Sequence, residues 1–512
     1  MQRSLDSTHP RGRCYTAAMR TYWLENYGCR ATQADAAAIE SQLLARGLAP
    51  SQSPESATIV VLNTCTVTAA ADLQAREVIR RIHRLNPEAN VLATGCYAQR
   101  APEELAALPG VAWVVGNSHQ RVIGGLVCDA QAAPHASQEF VPAASLAAPA
   151  AMPLNRSPKI LTGNIFEADD VLVAPSSTLA GRTRPVLKIQ DGCNNRCSYC
   201  VIPFVRGASR SLTPERVVDE LRALARAGAR EVVLSGINLG AWGRDLTPRI
   251  ELRDLLARLA GEALVDRIRL SSIEPMDLTL DLVDLMAGSG SIAPHFHVPL
   301  QSGSDRVLAA MHRWYRAAHY AERITLAAER LPGAAIGADV ICGFPGETEE
   351  DHCQTIALIE RLPLTYLHVF SYSPRPGTKA ASSANTVPLR VIQRRARELR
   401  ALSDKKAAAF RALQHGRRHR VLTLERSGTD RHGRPWTAAL TGNYLHVRVD
   451  GRWPRNVWLD ATLAADKDHL SGEVVAEVGD QAREEVCVEA GEAGAALSSR
   501  KSPAPAPCLP SA

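Results

Sequence analysis

Short β-branched segments alternate with helix-like segments over most of this 512-residue chain. In the middle of the chain, strand-like segments occur at 186–190, 231–236, 267–272, 295–300, 335–343 and 366–373. Strands that alternate with helices form parallel sheets, because each helix returns the chain to the start of the next strand. Residues 181–413 are therefore predicted to form a parallel sheet that curls into an incomplete (βα)6 barrel. The chemistry of such a barrel lies at the carboxyl ends of its strands.

A second alternating region, residues 20–129, precedes the barrel. Strands are predicted at 58–65, 90–96 and 111–117, and apolar residues at helical spacing predict a helix at 71–85. The fold class is α/β, and this region is expected to be a small open domain with a mostly parallel sheet.

The remaining segments have different compositions. Residues 130–180 are rich in Ala, Pro and Ser, which is typical of a linker that buries too little apolar surface to fold alone. Residues 414–489 contain several short strand-like segments and predict a small antiparallel β-barrel. Residues 1–19 and 490–512 are expected to be disordered.

Composition limits the cellular setting. Hydrophobic residues make up 46% of the chain and charged residues 22%, which excludes global disorder. No segment approaches the ~20 consecutive apolar residues of a membrane span, and the N-terminus lacks the apolar stretch of a signal peptide. We expect a cytoplasmic protein; a weak organellar presequence, and a start at Met1 or at Met19, are left open. In a reducing compartment, the twelve cysteines indicate metal binding or catalysis rather than disulfides.

The segment CNNRCSYC, directly after a predicted strand, contains Cys193, Cys197 and Cys200. Thiolates are soft ligands that suit zinc or iron–sulfur clusters. Structural zinc requires four ligands and a ferredoxin supplies a fourth cysteine, so three cysteines on one loop favour a [4Fe–4S] cluster with one open iron over either alternative. Tyr199 is expected to pack over this cluster, although an ordinary loop aromatic is the alternative for that residue.

Three more cysteines, Cys29, Cys65 and Cys96, each follow an extended stretch in the first region. Parallel strands deliver their carboxyl ends to one edge of a sheet, so these thiols are expected to converge and hold a second metal centre. The alternative is three buried structural cysteines.

Polar residues follow the predicted barrel strands. Asn238, Glu274, Gln301 and Ser302 are suited to contact a nucleoside or an amino acid, and satisfied loop polar groups are the alternative. Further along, residues 389–426 contain twelve basic and only three acidic side chains in a chain of net charge +6. This stretch predicts a surface that binds an RNA backbone, with a solvated helix face as the alternative.

Several of these motifs resemble known families. CNNRCSYC, with an aromatic residue before its last cysteine, resembles the signature of radical S-adenosylmethionine (SAM) enzymes. NYGC, VLNTCTVTAAAD and ATGCYAQRAPEEL resemble the N-terminal domain of methylthiotransferases, and TGNYLHVRV resembles the RNA-binding TRAM domain. The resemblance implies two [4Fe–4S] clusters, one on Cys193, Cys197 and Cys200 and an auxiliary one on Cys29, Cys65 and Cys96. By motif position it also implies these SAM-pocket residues: Tyr199, Gly236, Asn238, Glu274, Gln301, Ser302 and Gly343.

The segments SGINLGAW, RLSSIEP, PLQSGSDRVLAAMHRWY and VFSYSPRPGT resemble most the methylthiotransferases that act on N6-threonylcarbamoyladenosine (t6A) next to the anticodon of tRNA. That resemblance implies transfer of a methylthio group to carbon 2 of the adenine ring, with SAM used twice. It implies tRNA, a flavodoxin- or ferredoxin-like electron donor and a sulfur source as partners. The alternatives are isopentenyl-adenosine in tRNA, an aspartate of a small-subunit ribosomal protein, and a non-enzymatic iron–sulfur protein that binds RNA or senses redox state.

Overall fold

The computed structural model describes residues 20–129, 157–175, 182–465 and 470–478. The segments expected to be disordered, 1–19 and 490–512, lie outside the described residues, as does most of the expected linker. Within the described part of the chain, no helix is long and apolar enough to cross a membrane.

The N-terminal region is a parallel α/β unit. Its strands are β1 (Thr21–Asn26), β2 (Ala49–Pro50), β3 (Ile59–Thr64), β4 (Asn90–Gly95), β5 (Val111–Gly116) and β6 (Lys159–Leu161). Its helices are α1 (Arg30–Ala45), α2 (Ala69–Leu85), α3 (Cys96–Arg100), α4 (Pro102–Ala106) and α5 (Ile123–Asp129). All six strands are parallel, in the order β2-β1-β3-β4-β5-β6, which confirms the predicted sheet. Every residue of β3 is buried, because helices cover both faces of the sheet.

The segment expected as a linker is partly folded. Residues 157–175 fall within the predicted 130–180 linker, yet β6 pairs in parallel with β5 and extends the sheet. Ile165 and Val171 are buried as well. The structure therefore differs from the prediction over 157–175, because large apolar side chains are denser in this stretch than in the Ala- and Pro-rich stretch before it.

The central region consists of six parallel strands, a short hairpin and the connecting helices. Its strands are β7 (Val186–Lys188), β8 (Gln190–Asp191), β9 (Arg210–Ser211), β10 (Glu231–Ser235), β11 (Arg267–Leu270), β12 (His295–His297), β13 (Ala335–Cys342) and β14 (Tyr366–Ser371). Its helices are α6 (Ile202–Arg206), α7 (Pro214–Arg226), α8 (Leu252–Glu262), α9 (Leu280–Gly288), α10 (Asp305–Ala310), α11 (Ala317–Arg330), α12 (Glu349–Arg361) and α13 (Leu389–Ala412). The helix α7 begins after Thr213, whose hydroxyl accepts a hydrogen bond from the amide of Arg216 (3.4 Å) and so caps the N-terminus of the helix.

The six strands form an incomplete barrel, as predicted. Strands β7, β10 and β11 form one parallel sheet, β12, β13 and β14 form another, and a parallel bridge between Ile268 and Ile292 joins them. Among the described strands β7 does not pair with β14, so the barrel is open on that side. The N-terminal region covers the opening: Asp35 of α1 is ion paired with Lys188 of β7, and Asp72 of α2 with Arg375 beyond β14.

The C-terminal region is a closed five-stranded barrel. Its strands are β15 (Arg418–Thr429), β16 (Pro435–Thr441), β17 (His446–Asp450), β18 (Trp458–Ala465) and β19 (Leu470–Glu477). The sequence predicted an antiparallel barrel, and this was wrong for one pair, since β17 and β19 are parallel. The chain leaves β17 to form β18 beside β15, so β19 closes the barrel in the same direction as β17.

Candidate active site

Three cysteines lie in the loop between β8 and α6. We call this set the loop triad: Cys193, Cys197 and Cys200. The amide of Cys193 donates a hydrogen bond to the carbonyl of Gly207 (3.1 Å), which closes the loop at its base. Gly192 has φ +72°, and a Cβ built on it would lie 1.9 Å from the carbonyl oxygen of Ala208, so glycine is required there. The backbone therefore fixes the loop that carries all three thiols.

The loop triad is enclosed by side chains from neighbouring strand ends. Nη1 of Arg313 lies 3.3 Å from Sγ of Cys197, and the same guanidinium is ion paired with Glu274. Burial raises the pKa of Cys200 to about 12 and also raises the pKa of Cys193. These two thiols are therefore protonated at neutral pH in the metal-free protein, and binding of a metal centre must release their protons.

A second set, the sheet triad, follows three neighbouring strands. Its members are Cys29 after β1, Cys65 after β3 and Cys96 after β4, and these strands are adjacent in the sheet. Their carboxyl ends lie at one edge, as the sequence predicts. A Cβ on Gly28 would lie 3.4 Å from Sγ of Cys65, so the chain around Cys29 touches Cys65. Burial, followed by the charge of Cys96, raises the pKa of Cys65 to about 12.

Polar groups surround the innermost member of the sheet triad. Cys96 is 2% exposed, and its Sγ lies 3.5 Å from Nδ2 of Asn117. Oδ1 of Asn117 is buried and has no hydrogen-bond partner among the described residues. An unsatisfied buried acceptor is costly, so its presence beside a thiol indicates a site whose polar groups are completed by a bound group.

Neither triad has the spacing of ligands around a single metal ion. Among the described residues, three ligand atoms lie within 4.8 Å of one another only at His297, Asp339 and His368. Thiolates are soft ligands that suit an iron–sulfur cluster, and three of them leave one iron of a [4Fe–4S] cluster open.

One cavity lies between Cys200 of the loop triad and the segment that follows Cys65 of the sheet triad. It has a volume of about 190 Å³ and is open to solvent. Val67 and Thr68, just after Cys65, form one wall, and Tyr199 and Cys200 form another. The remaining wall consists of Gln301, Asp339, Ile341, Phe370, Ser371, Tyr372 and Ser373. A substrate held in this cavity lies against Cys200.

The two triads are also joined by direct packing. Cys96, the first residue of α3, packs against Val201 and Val205 beside and within α6. This packing places α3, which begins at Cys96, against α6, which begins two residues after Cys200.

A buried ionic network, which the sequence analysis missed, lies beneath both triads. It consists of Asp35, Lys188, Asp191 and Arg206, each at most 6% exposed. Arg206 donates to Asp35 (2.7 Å) and Asp191 (3.0 Å), and Lys188 donates to Asp191 (2.7 Å) and to Asp35. Burial alone would raise the pKa of Asp191, but Lys188 and Arg206 outweigh it and lower the pKa. The only feature of the sequence that could have indicated this network was the three-residue spacing of Lys188 and Asp191. Asp35 is 153 residues from Lys188, so its pairing depends on the fold.

Three of the predicted pocket residues lie beside the loop triad. The amide of Asn238 donates to Oε1 of Gln190 (2.9 Å), while its own Oδ1 is buried without a partner among the described residues. Glu274 is held by Arg313. A Cβ on Gly236 would lie 2.7 Å from Oε1 of Gln190, so this strand end requires a residue without a side chain.

Two further predicted residues line the cavity. The backbone of Gln301 has φ +64°. Gln301 also pairs with Val340 of β13 in an isolated parallel bridge, at the end of the segment that follows β12. Tyr199 stands edge-on to Phe344, with ring centroids 6.4 Å apart. This packing encloses the side of the loop triad that faces the cavity.

The last two predicted pocket residues point to a different role. Ser302 is fully buried, and its hydroxyl accepts from the amide of Ser304 (3.2 Å) and lies 3.4 Å from Oγ1 of Thr355. Gly343 has φ +80°, and a Cβ there would lie 2.4 Å from Ile392 of α13. Both residues shape strand-end loops from behind the cavity wall.

Sequence reasoning missed a polar cluster in the barrel interior. Oδ1 of Asp339 lies 3.1 Å from Nε2 of His297 and 3.2 Å from Nδ1 of His368. Burial alone would raise the pKa of Asp339, but hydrogen bonds from both histidines lower it to about 2. The signal that could have found it is strand alternation, since Asp339 and His368 are paired in register on β13 and β14.

The basic stretch is only partly available to a partner. Arg395 is buried against Glu347 (2.8 Å), and Lys406 donates to the carbonyl of Leu362 (2.8 Å). These cations stabilise the fold of α13 against the barrel. Only the exposed basic residues of the stretch can therefore contribute to the predicted binding surface.

Aromatic and basic side chains line a cleft between β14, α13 and the C-terminal barrel. The cleft has a volume of about 610 Å³ and is bordered by Tyr366, His368, Arg411, Arg426, Trp436, Tyr444 and Arg448, among others. The guanidinium carbons of Arg448 and Arg426 lie 4.8 and 5.9 Å from the ring centroid of Trp436. Aromatic rings flanked by cations are the groups that bind single-stranded nucleic acid.

Family models match both cysteine-bearing regions. The model described as the Radical SAM superfamily matches residues 187–359, which contain the loop triad. The model described as Uncharacterized protein family UPF0004 matches residues 21–116, which contain the sheet triad. Among solved structures, the radical SAM methyltransferase TsrM from Kitasatospora setae aligns with a TM-score of 0.50 at 17% identity, over 71% of this chain and 77% of that one. This likeness supports the fold alone.

Curated relatives extend over most of the chain. The threonylcarbamoyladenosine tRNA methylthiotransferase MtaB of Aquifex aeolicus is 36% identical over 83% of this chain and 96% of its own length. The protein of the same name from Bacillus subtilis is 36% identical over 85% and 91%. A tRNA-2-methylthio-N(6)-dimethylallyladenosine synthase of Syntrophobacter fumaroxidans is 34% identical over 75% and 80%. With these relatives, this chain belongs to the methylthiotransferases of the radical SAM superfamily.

Proposed function

We propose that this chain adds a methylthio group to carbon 2 of N6-threonylcarbamoyladenosine next to the anticodon of tRNA. As a member of its family, it is a transferase that uses [4Fe–4S] clusters and SAM. The observation that carries the proposed substrate is the 36% identity to two relatives named for it, each matched over more than 90% of its length.

In this proposal the loop triad holds the cluster that binds SAM, and the sheet triad holds the auxiliary cluster. The match of the Radical SAM model to the region of the loop triad, and of a different family model to the region of the sheet triad, supports this division. When bound, SAM and the clusters supply the one-electron chemistry and the methylated sulfur that replacement of an unreactive C–H bond requires. The chain itself supplies the thiolate ligands and a cavity beside Cys200.

The strand ends around the loop triad form the proposed SAM pocket. Asn238 offers a buried acceptor that lacks a partner, and Glu274 offers a carboxylate held in place by Arg313. Gln301 and Tyr199 border the cavity, and Tyr199 also limits access of water to the cluster. Gly236 permits close approach of a ligand to the backbone, while Ser302 and Gly343 support the pocket from behind.

The cleft beside Trp436 is the proposed binding surface for the anticodon arm of the tRNA. Arg426, Arg448 and Arg411 bring positive charge to it, and Trp436 and Tyr444 offer rings for stacking. His368 borders this cleft and is paired with Asp339 of the cavity, so the two spaces adjoin. The three regions then act as auxiliary-cluster, radical SAM and RNA-binding domains of a cytoplasmic enzyme. An external electron donor and a sulfur source complete the reaction.

The experiment that tests this proposal uses anticodon stem-loops that differ only at the modified adenosine. Reconstituted protein is incubated with SAM, sulfide and a chemical reductant, and nucleosides are measured by mass spectrometry. We expect methylthiolation of the t6A stem-loop and none of stem-loops with isopentenyl-adenosine or adenosine. The Cys65→Ser variant is the matched control and yields no product. Methylthiolation of the isopentenyl stem-loop instead would overturn the substrate and leave the reaction class intact.

A further inference from the structure

An exposed cationic face lies on the solvent side of the loop triad. We call this set the cationic face: Arg196, His312, Trp314, Arg316 and Lys379. All five residues are exposed, and Trp314 is 77% exposed, the largest value among the exposed large hydrophobic residues. An exposed tryptophan among cations is unusual, because most of the surface of a tryptophan side chain is normally buried.

Contacts within the face tie it to the cluster loop. Nδ1 of His312 lies 3.2 Å from the carbonyl oxygen of Arg196, the residue before Cys197. Nζ of Lys379 lies 3.3 Å from Nε2 of His312, which brings the segment after β14 to the same place. The face is therefore built around the middle of the loop triad.

The segment after α10 alternates between the cluster and solvent. Arg313 and Tyr315 face inward, and Nη1 of Arg313 lies 3.3 Å from Sγ of Cys197. Trp314 and Arg316, the residues between and after them, are exposed. One short segment thus connects the solvent-exposed face to a cluster sulfur through adjacent residues.

The part of the chain that the structure describes leaves the positive charge of this face without acidic partners. Among the described residues, no carboxylate is ion paired with Arg196, Arg316 or Lys379. The nearby Glu274 is already held by Arg313, and Asp305 accepts a hydrogen bond from the amide of Ala317. Unpaired cations next to an exposed aromatic ring form a surface that attracts an acidic partner.

We propose that the cationic face is the docking site of an acidic one-electron carrier of the flavodoxin or ferredoxin type. This inference rests on the proposed function only in requiring that SAM be cleaved at the loop triad. One electron passes from the reduced carrier, which is oxidised, to the sulfonium of SAM, and the C5′–S bond breaks to give methionine and a 5′-deoxyadenosyl radical. This radical takes a hydrogen atom from carbon 2 of the substrate adenine, or from the buffer when substrate is absent, and leaves as 5′-deoxyadenosine. The carrier needs close approach to the cluster, and Trp314 gives it an aromatic anchor.

RNA is also acidic, but the surfaces suited to bind it lie elsewhere on the protein. The cavity for the reacting base is bordered by the Cys200 end of the loop triad, whereas the cationic face surrounds Cys197. The aromatic cleft next to the C-terminal barrel contains Trp436. The location of the cationic face therefore favours a protein that delivers electrons over the nucleic acid substrate.

The test compares two reductants on the same reconstituted full-length protein. Formation of 5′-deoxyadenosine is measured with a reduced acidic flavodoxin and, separately, with dithionite, in wild type and in the Arg316→Glu/Lys379→Glu variant. Arg330→Glu is the control, since it reverses a charge at the opposite end of α11, about 20 Å away. We expect kcat/KM for the flavodoxin to fall about tenfold in the double variant, because steering of an oppositely charged partner is lost. The dithionite rate is expected to stay within about twofold, since a small reductant needs no docking surface.

Calorimetric titration of flavodoxin into the same proteins gives a second readout that needs no turnover. Binding is expected to weaken in the double variant and in Trp314→Ala, and to weaken for wild type as salt is raised. An equal loss of rate with both reductants, or unchanged flavodoxin binding, would overturn the docking site. A loss confined to tRNA binding would instead assign the face to RNA. Because neither readout depends on the modified base, failure of the t6A assignment leaves this test unaffected.

Discussion

The loop triad and the sheet triad each bring three thiols into one part of the molecule, but by different means. The loop triad occupies eight consecutive residues, and a few backbone contacts fix its geometry. The sheet triad draws its members from three strand ends that are 36 and 31 residues apart, so it exists only when β1, β3 and β4 are paired in register. The chemistry of a local motif can be recognised from the sequence, whereas a site assembled from distant segments can be recognised only once the fold is known.

The first way to break this comparison is to remove one thiol from each triad. We expect Cys197→Ser to reduce SAM cleavage to background, because the cluster that binds SAM is lost. Cys65→Ser should keep SAM cleavage and abolish methylthiolation, and each variant should retain about half of the iron, since one of two clusters remains. The exposed Cys353, outside both triads, provides the control variant Cys353→Ser. Loss of SAM cleavage in Cys65→Ser would contradict independent roles for the triads.

The ionic network beneath the triads tests how much the assembled site depends on the interface between regions. Asp35→Ala leaves Lys188 and Arg206 with one carboxylate in place of two. Removing one partner of a buried ion pair costs about 3–5 kcal/mol of stability. Urea unfolding of the metal-free protein measures this loss. The control Glu40→Gln, at a half-exposed pair with Arg182, should cost about 1 kcal/mol or less. Equal losses in both variants would contradict a structural role for the network.

A third prediction concerns the junction between the central region and the C-terminal barrel. Burial alone would raise the pKa of Glu231, but Arg269, Arg267 and Arg184 outweigh it and lower the pKa from 4.5 to about 2. Arg269 also donates to the carbonyls of Thr441 and Gly442 (3.2 and 2.9 Å).

Because the folded-state pKa of Glu231 lies below its unfolded value, its stabilisation is present above about pH 4.5 and is lost as the pH falls towards 2. The difference corresponds to about 3 kcal/mol. Thermal unfolding of the metal-free protein between pH 5 and pH 3 should therefore show a steeper loss for wild type than for Glu231→Gln. Parallel curves would show that this carboxylate does not control the junction.

The smallest expected effect is at a purely local feature, the N-cap of α7. Thr213→Ala removes the hydrogen bond to the amide of Arg216 and should cost about 1 kcal/mol of stability. Thr213→Ser keeps the hydroxyl and should cost much less. Neither change should alter the iron content. A change in iron content would show that α7 positions the loop triad, contrary to the contacts described.

Much of this organisation could be predicted from the sequence because it depends on local pattern. The loop triad and most strands of the three parallel sheets follow from spacing and hydrophobic runs within short windows. The pairing of Asp35 with Lys188, the strand β6 and the parallel pair β17–β19 could not be predicted, because each depends on which distant segments meet. Ser302 is a further example, since its position at a strand end did not indicate that its hydroxyl lies 3.4 Å from Oγ1 of Thr355.

The most direct test of the central claim is mass spectrometry of tRNA nucleosides from cells with and without the gene. Cells that express Cys65→Ser or Cys353→Ser in place of the wild type complete the set. The account predicts that methylthio-t6A disappears and t6A accumulates without the gene, and that only wild type and Cys353→Ser restore it. Persistence of methylthio-t6A in the deletion, or its restoration by Cys65→Ser, would contradict a t6A methylthiotransferase that depends on the sheet triad.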